Sequence, residues 1–193
     1  MTPTSTLLES LRTETDNLHE ALHVHPLLEP LHRGAITRAQ YGRILNAFYI
    51  AYSAMEGSRT AATTRFEETD VLSLIEADHK IHEFELPFVP RTNYPAIESF
   101  SALMGYLYVK EGSGLGGQVI SKHLARELGL EAGVTNHFFA GQGTETGAHW
   151  RKFLAFLYES EARVDTVRAV TQAKASFTAV RLACDHVLAG EKQ

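Results

Sequence analysis

At 193 residues the chain is sized for one domain that can bury a substantial core. Its 44% hydrophobic and 21% charged content is that of a folded globular protein, and a net charge of −5 argues against a broad nucleic-acid surface, which needs a basic excess. Cys184 is the single cysteine, which excludes an intramolecular disulfide and suits a reducing compartment.

Residues 6–12 mix apolar, polar and charged side chains, unlike a signal peptide. The longest apolar runs, such as residues 103–109, are too short to cross a bilayer. A cytoplasmic protein without a membrane span is expected.

Leu7, Leu8, Leu11, Leu18 and Leu22 recur at helical spacing and predict a first amphipathic helix over residues 5–24. The two prolines that follow, Pro26 and Pro30, end it. Thr37 and Gln40 have the spacing of a capping box and open a second helix, whose apolar face is Tyr41, Ile44, Leu45, Phe48, Tyr52 and Met55. A third is predicted over 69–85, stopping before Pro87, and residues 87–95 form a loop with three prolines. From Pro95, a favourable first-turn residue, a long helix runs to Leu128, with Gly129 as its stop. Helices over 146–160 and 164–188 complete the set. Period-two alternation is nowhere sustained, so the fold is read as all-α, one multihelical domain over residues 1–193.

The long helix contains Gly112, Gly114, Gly116 and Gly117. Each costs a helix interior ~0.8–1 kcal/mol relative to alanine, a large sum against a net stability of about 5–15 kcal/mol. One reason to carry them is close packing between helices, or a turn. The other is that bare backbone must approach a flat ligand and leave room for something small.

The segment Gly112-Ser-Gly-Leu-Gly-Gly-Gln resembles the distal helix of haem oxygenases, particularly the bacterial members. In that family the helix is kinked over the haem, its glycine backbone touches the ligand, and the bend steers iron-bound oxygen to one meso carbon. The resemblance makes Gly112, Ser113 and Gly116 the catalytic distal wall, with Gly117 a further haem contact. Animal members have an aspartate where this chain has Ser113, so proton delivery would fall to ordered water held by other polar groups.

The opening of the chain is similar to the same family, with Arg12, Thr15 and His19 at the places of a basic residue, a threonine and the proximal histidine. A neutral imidazole is the axial ligand this chemistry needs, and among ten histidines the resemblance selects His19 as the iron ligand. Two helical turns separate Arg12 from His19, about 10 Å along one face, which suits a propionate contact for Arg12. Four residues beyond the histidine many relatives carry a carboxylate that accepts its second N–H; here that residue is His23, a less effective partner. Trp150-Arg151-Lys152 resembles the segment holding a second propionate anchor, by position Arg151. Tyr108 and Lys110 are weaker matches at that edge. Phe177 is expected to pack on the porphyrin.

The implied fold is that of a haem oxygenase, with haem between a proximal helix and a kinked distal helix. The implied reaction takes haem as both cofactor and substrate, with O2 and an external electron donor (a reductase or ferredoxin), and yields biliverdin, CO and ferrous iron. A bacteriophytochrome is a possible acceptor of the biliverdin. Two other readings stand beside it. Glu76, Asp78, His79, His82 and Glu83, with Glu56 as a partner, could be half of a non-haem di-iron site, although a solvated surface explains them more simply. A non-catalytic haem-binding protein would share the pocket.

Overall fold

Thr37 and Gln40 form the predicted capping box: the Thr37 hydroxyl accepts from the Gln40 amide at 3.2 Å, and the Gln40 side chain accepts from the Thr37 amide at 2.8 Å. This satisfies two of the donors that a helix start leaves open. In the computed structural model, which describes residues 6–60, 62–91 and 93–190, the box opens α2 (Arg38–Gly57). The other helices are α1 (Thr6–His23), α3 (Val71–His82), α4 (Phe100–Leu128), α5 (Thr146–Ser160) and α6 (Thr166–Ala189), with three short 3-10 turns between them. No strand forms among the described residues; two isolated bridges occur in connections. Residue 5, expected in the first helix, lies outside the described residues.

α4 and α6 pack most extensively, α1 and α2 lie against α6, α5 against α4, and α3 against α2. The α4–α6 crossing is so close that a Cβ on Gly105 would fall 1.9 Å from the Ala169 carbonyl oxygen. Leu7, Leu11, Ile44, Leu45, Leu103, Leu107, Phe153 and Leu157 are fully buried in the shared core. The pairs Leu7/Leu11, Leu103/Leu107 and Phe153/Leu157 are four apart, and Ile44 and Leu45 are three and four beyond buried Tyr41, the spacing that turns one stripe of each helix inward.

Three boundaries differ from expectation. α4 starts at Phe100, capped by the Ser99 hydroxyl, rather than at Pro95. The intervening Ile97 is held extended, donating to the Ser58 carbonyl and accepting from the Thr60 amide. α3 starts after Asp70, whose carboxylate caps it, and ends at His82 because Glu83 adopts a left-handed conformation at φ 56°. As expected, α4 runs as one helix through all four glycines of its middle to Leu128, with Gly129 as its stop.

In the Glu76–Glu83 stretch Glu76, Lys80, Ile81 and Glu83 are exposed, as a solvated face would be, and among the described residues no metal-holding group forms there. Asp78, His79 and His82 are buried. Asp78 accepts from the Tyr41 hydroxyl at 3.0 Å, the His137 amide at 2.6 Å and the Phe138 amide at 3.0 Å, and His82 donates to the Thr135 carbonyl at 2.7 Å. These bonds tie α2 and α3 to the loop after α4, and that loop carries Phe138 and Phe139 against the back of the glycine segment.

Candidate functional site: the cleft between α1 and α4

α1 meets α4 at one place, and at a second place both helices reach the turn around Glu29–Leu31. At one, the Tyr108 hydroxyl on α4 is in hydrogen-bonding reach of Thr15 and beside the charges of Arg12 and Asp16. At the other, the His23 ring lies 4.7 Å from that of His32, which feels the charge of His123, and His123 donates to the Pro30 carbonyl at 3.1 Å. At 1.5 Å per residue, Thr15 to His23 spans about 12 Å and Tyr108 to His123 about 22 Å. His19 lies midway along the first interval, and Leu115 and Gly116 lie midway along the second.

Between these two places α4 turns Leu115, Gly116 and Val119 to solvent, and a Cβ on Gly116 would meet nothing within 4 Å. The other glycines make room for neighbours. A Cβ on Gly112 would stand 3.4 Å from the Trp150 ring, one on Gly114 3.3 Å from Thr146, and one on Gly117 2.7 Å from the Phe139 carbonyl oxygen. The bare face of Gly117 is therefore turned to the Phe139 loop, away from the open side marked by Gly116.

The His19 side chain is 54% exposed. Its Nε2 is 3.3 Å from His23 Nε2, and its ring stands edge-on to Phe177 with centroids 5.9 Å apart. Phe177 therefore touches the imidazole itself. Partial burial, and next the neighbouring His23, hold the His19 pKa below the ordinary histidine value, so the ring is neutral near pH 7 with a lone pair to offer. Nδ1 has Glu20 Oε1 at 3.8 Å. A carboxylate thus stands beside the second ring nitrogen, supplied by the residue next in the chain and not by the one a helical turn further on.

Ser113 faces α2. Its hydroxyl donates to the Lys110 carbonyl at 2.7 Å, which uses its only proton, so at the 3.4 Å contact with Tyr52 it is the tyrosine that donates. Burial pushes the Tyr52 pKa up to about 12, keeping that hydroxyl protonated. By sequence pattern Tyr52 is one more residue of an apolar stripe. A buried tyrosine needs a partner for its hydroxyl, and that requirement was the available signal.

Behind α4 lies a closed polar network. Lys110 Nζ, 2% exposed, is held by Glu56 at 3.0 Å and Glu68 at 2.6 Å, and Arg59 forms a fork on Glu68 at 2.8 and 2.9 Å. Lys110 cannot reach a ligand at the cleft edge, and Glu56 is committed to cations. Glu111, its carboxylate buried, accepts from Thr69 and from His149 at 2.8 Å. With these carboxylates occupied, the di-iron reading is not favoured. Arg12 is exposed on the His19 face of α1, whereas Arg151 is exposed on α5 beside Trp150, whose ring packs on Tyr108 at 6.1 Å.

The donor set suits haem: a neutral imidazole at His19 on α1, a bare exposed backbone at Gly116 on α4, and apolar Leu115 and Val119 beside it. The Heme oxygenase family model matches residues 5–82 and 76–182. This chain belongs to the haem oxygenase family. Solved haem oxygenases have the same fold. That of Neisseria meningitidis, described with NO and CO bound, is 19% identical, with 96% of this chain and 94% of that chain covered and a TM-score of 0.72. That of Leptospira interrogans is 18% identical, covering 95% and 100%, with a TM-score of 0.68. A cyanobacterial one from Synechocystis, in complex with haem, is 18% identical, covering 95% and 93%, with a TM-score of 0.67. No curated protein matches the chain. No helix among the described residues is long and apolar enough to cross a membrane.

Proposed function

We propose that the chain binds haem in the α1–α4 cleft through His19 and opens it, with O2 and electrons from an outside donor, to biliverdin, CO and ferrous iron. What supports this reading is the neutral imidazole of His19 on α1 together with the bare, exposed backbone of Gly116 on α4, in a chain of the haem oxygenase family. Haem, when bound, supplies the oxygen-activating iron and the ring that is cleaved. The protein's own part is to hold, orient and protonate.

His19 Nε2 is the ligand atom, since Nδ1 faces Glu20, and that carboxylate makes the imidazole a stronger donor. Gly116 leaves the space in which a diatomic molecule can lie, with Gly112 and Ser113 completing the wall. Gly117 contributes by letting the Phe139 loop close behind the helix. Ser113 Oγ and Tyr52 OH form a polar edge where water can be ordered for proton delivery. Arg12 and Arg151 are the propionate anchors. The electron donor is a separate reductase or ferredoxin: the glycine segment lies inside α4 and follows no strand, unlike a dinucleotide-binding fingerprint. We place the enzyme in the cytoplasm, where a bacteriophytochrome could take the biliverdin.

Haemin titration followed by turnover tests this. A strong Soret band with wild type, its loss in His19→Ala, and chromatographic appearance of biliverdin with a generic reductant are expected. Unchanged haemin binding by His19→Ala would remove His19 as ligand, and haemin bound without pigment formed would leave only a haem-binding protein.

A further inference from the structure

We propose that, in the haem-free protein, His19 and His23 together bind a divalent late-first-row transition-metal ion. The two histidines are four apart on α1, so their rings rise from one helix face, one turn apart. Their Nε2 atoms are 3.3 Å apart. Two nitrogens bound to a single tetrahedral zinc at about 2.0–2.1 Å stand roughly 3.3 Å from each other. The rings, now in hydrogen-bond contact, therefore already have the nitrogen spacing that one shared ion imposes.

A third donor is at hand. The ligand atoms of His19, Glu20 and His23 all lie within 4.8 Å of one another, and the open side of the cleft leaves a coordination position for water. Two imidazoles and one carboxylate select zinc, copper or nickel over magnesium or calcium, which prefer all-oxygen shells. This set draws on none of the carboxylates behind α4. Since the clamp uses His19 Nε2, it rests on the reading above in one respect: if that atom is the haem ligand, ion and haem exclude each other, and free metal would restrain haem loading.

Zinc is the probe, titrated calorimetrically into haem-free protein. Wild type is expected to bind one zinc, and His23→Ala and His23→Gln to weaken binding by roughly tenfold or more, since even an outer-shell partner of a metal is worth about 10–100-fold. His186→Ala, a substitution at an exposed position of α6, is expected to change nothing. Equal zinc affinity in wild type and both His23 variants would overturn the clamp, as would equal loss in His186→Ala.

Haemin titration with and without zinc separates the two readings. Zinc is expected to raise the apparent haemin Kd of wild type but not of His23→Ala. Zinc bound at the clamp without effect on haemin would leave the clamp standing and remove His19 as haem ligand. Absence of zinc binding in a protein whose haemin affinity depends on His19 would do the reverse.

Discussion

Gly105 on α4 lies against the backbone of Ala169 on α6, so close that a Cβ would be 1.9 Å from the Ala169 carbonyl oxygen and 2.7 Å from its carbon. Backbone atoms cannot swing aside as a side-chain tip can, so Gly105→Ala must push the most extensive helix pair of the fold apart. Overpacking of this kind costs about 1–3 kcal/mol. Urea unfolding at pH 7 should show that loss as a lower midpoint with an unchanged slope. An unaltered midpoint would mean that α4 and α6 are not in backbone contact.

Gly116 makes the opposite case on the same helix. A Cβ there meets nothing within 4 Å, and replacing an exposed helical glycine by alanine returns ~0.8–1 kcal/mol. Gly116→Ala is therefore expected to raise the urea midpoint while lowering turnover, and Gly116→Leu to abolish turnover with the helices intact by circular dichroism. On the proposed reading such a glycine leaves room for haem and its oxygen. Full activity in Gly116→Leu would place the distal wall elsewhere.

The two glycines show what was legible in the sequence and what was not. The run of glycines marked α4 as unusual, and the Thr37–Gln40 box marked the start of α2, because both signals are local. Which glycine packs and which faces open space depends on Ala169 and Phe139, residues brought in by tertiary structure. The same holds for Asp78, His79 and His82: their spacing suits a surface or a metal site equally, and only partners such as Tyr41 and Thr135 decide that they are structural. Pro95 misplaced the start of α4 because Ile97 bridges to Arg59, a pairing invisible from residues 95–99 alone. The carboxylate beside His19 was not legible, since Glu20 comes to 3.8 Å from Nδ1 by side-chain direction and not by helical register.

Burial also sets the response to alkali. Cys184 is pushed from 9.0 up to about 12 and Tyr52 from 10.0 up to about 12, in both cases chiefly by desolvation of the charged form; Tyr41 and Tyr106 are raised further, burial being reinforced by Asp78 and Glu56 respectively. These groups stay protonated in the folded chain at a pH where the unfolded chain has lost the protons. The folded state then binds more protons than the unfolded state, so stability falls as pH rises. The urea midpoint should hold steady from pH 7 to about pH 8 and decline above about pH 9, the range in which an unfolded thiol and then an unfolded phenol ionise. A midpoint unchanged at pH 10.5 would show that these groups are exposed.

Tyr52 and Ser113 supply the sharpest test of proton handling. The tyrosine donates to the serine at 3.4 Å and the serine donates to the Lys110 carbonyl at 2.7 Å, so the pair forms a short directed chain at the edge of the distal wall. Tyr52→Phe keeps the ring that packs near Phe48 and Phe138 and removes only the hydroxyl, at a stability cost of about 0.5–1.5 kcal/mol for one hydrogen bond. Haemin affinity should be unchanged, because neither residue holds the ring, while turnover should fall by roughly 10²–10⁴ if positioned proton transfer limits the rate. Ser113→Ala should fall with it. The double variant should be no slower than the worse single one, since residues acting as one unit are not additive. Effects that multiply in the double variant, or a haemin affinity that drops with either change, would mean that the two hydroxyls act apart and that water is ordered by other groups.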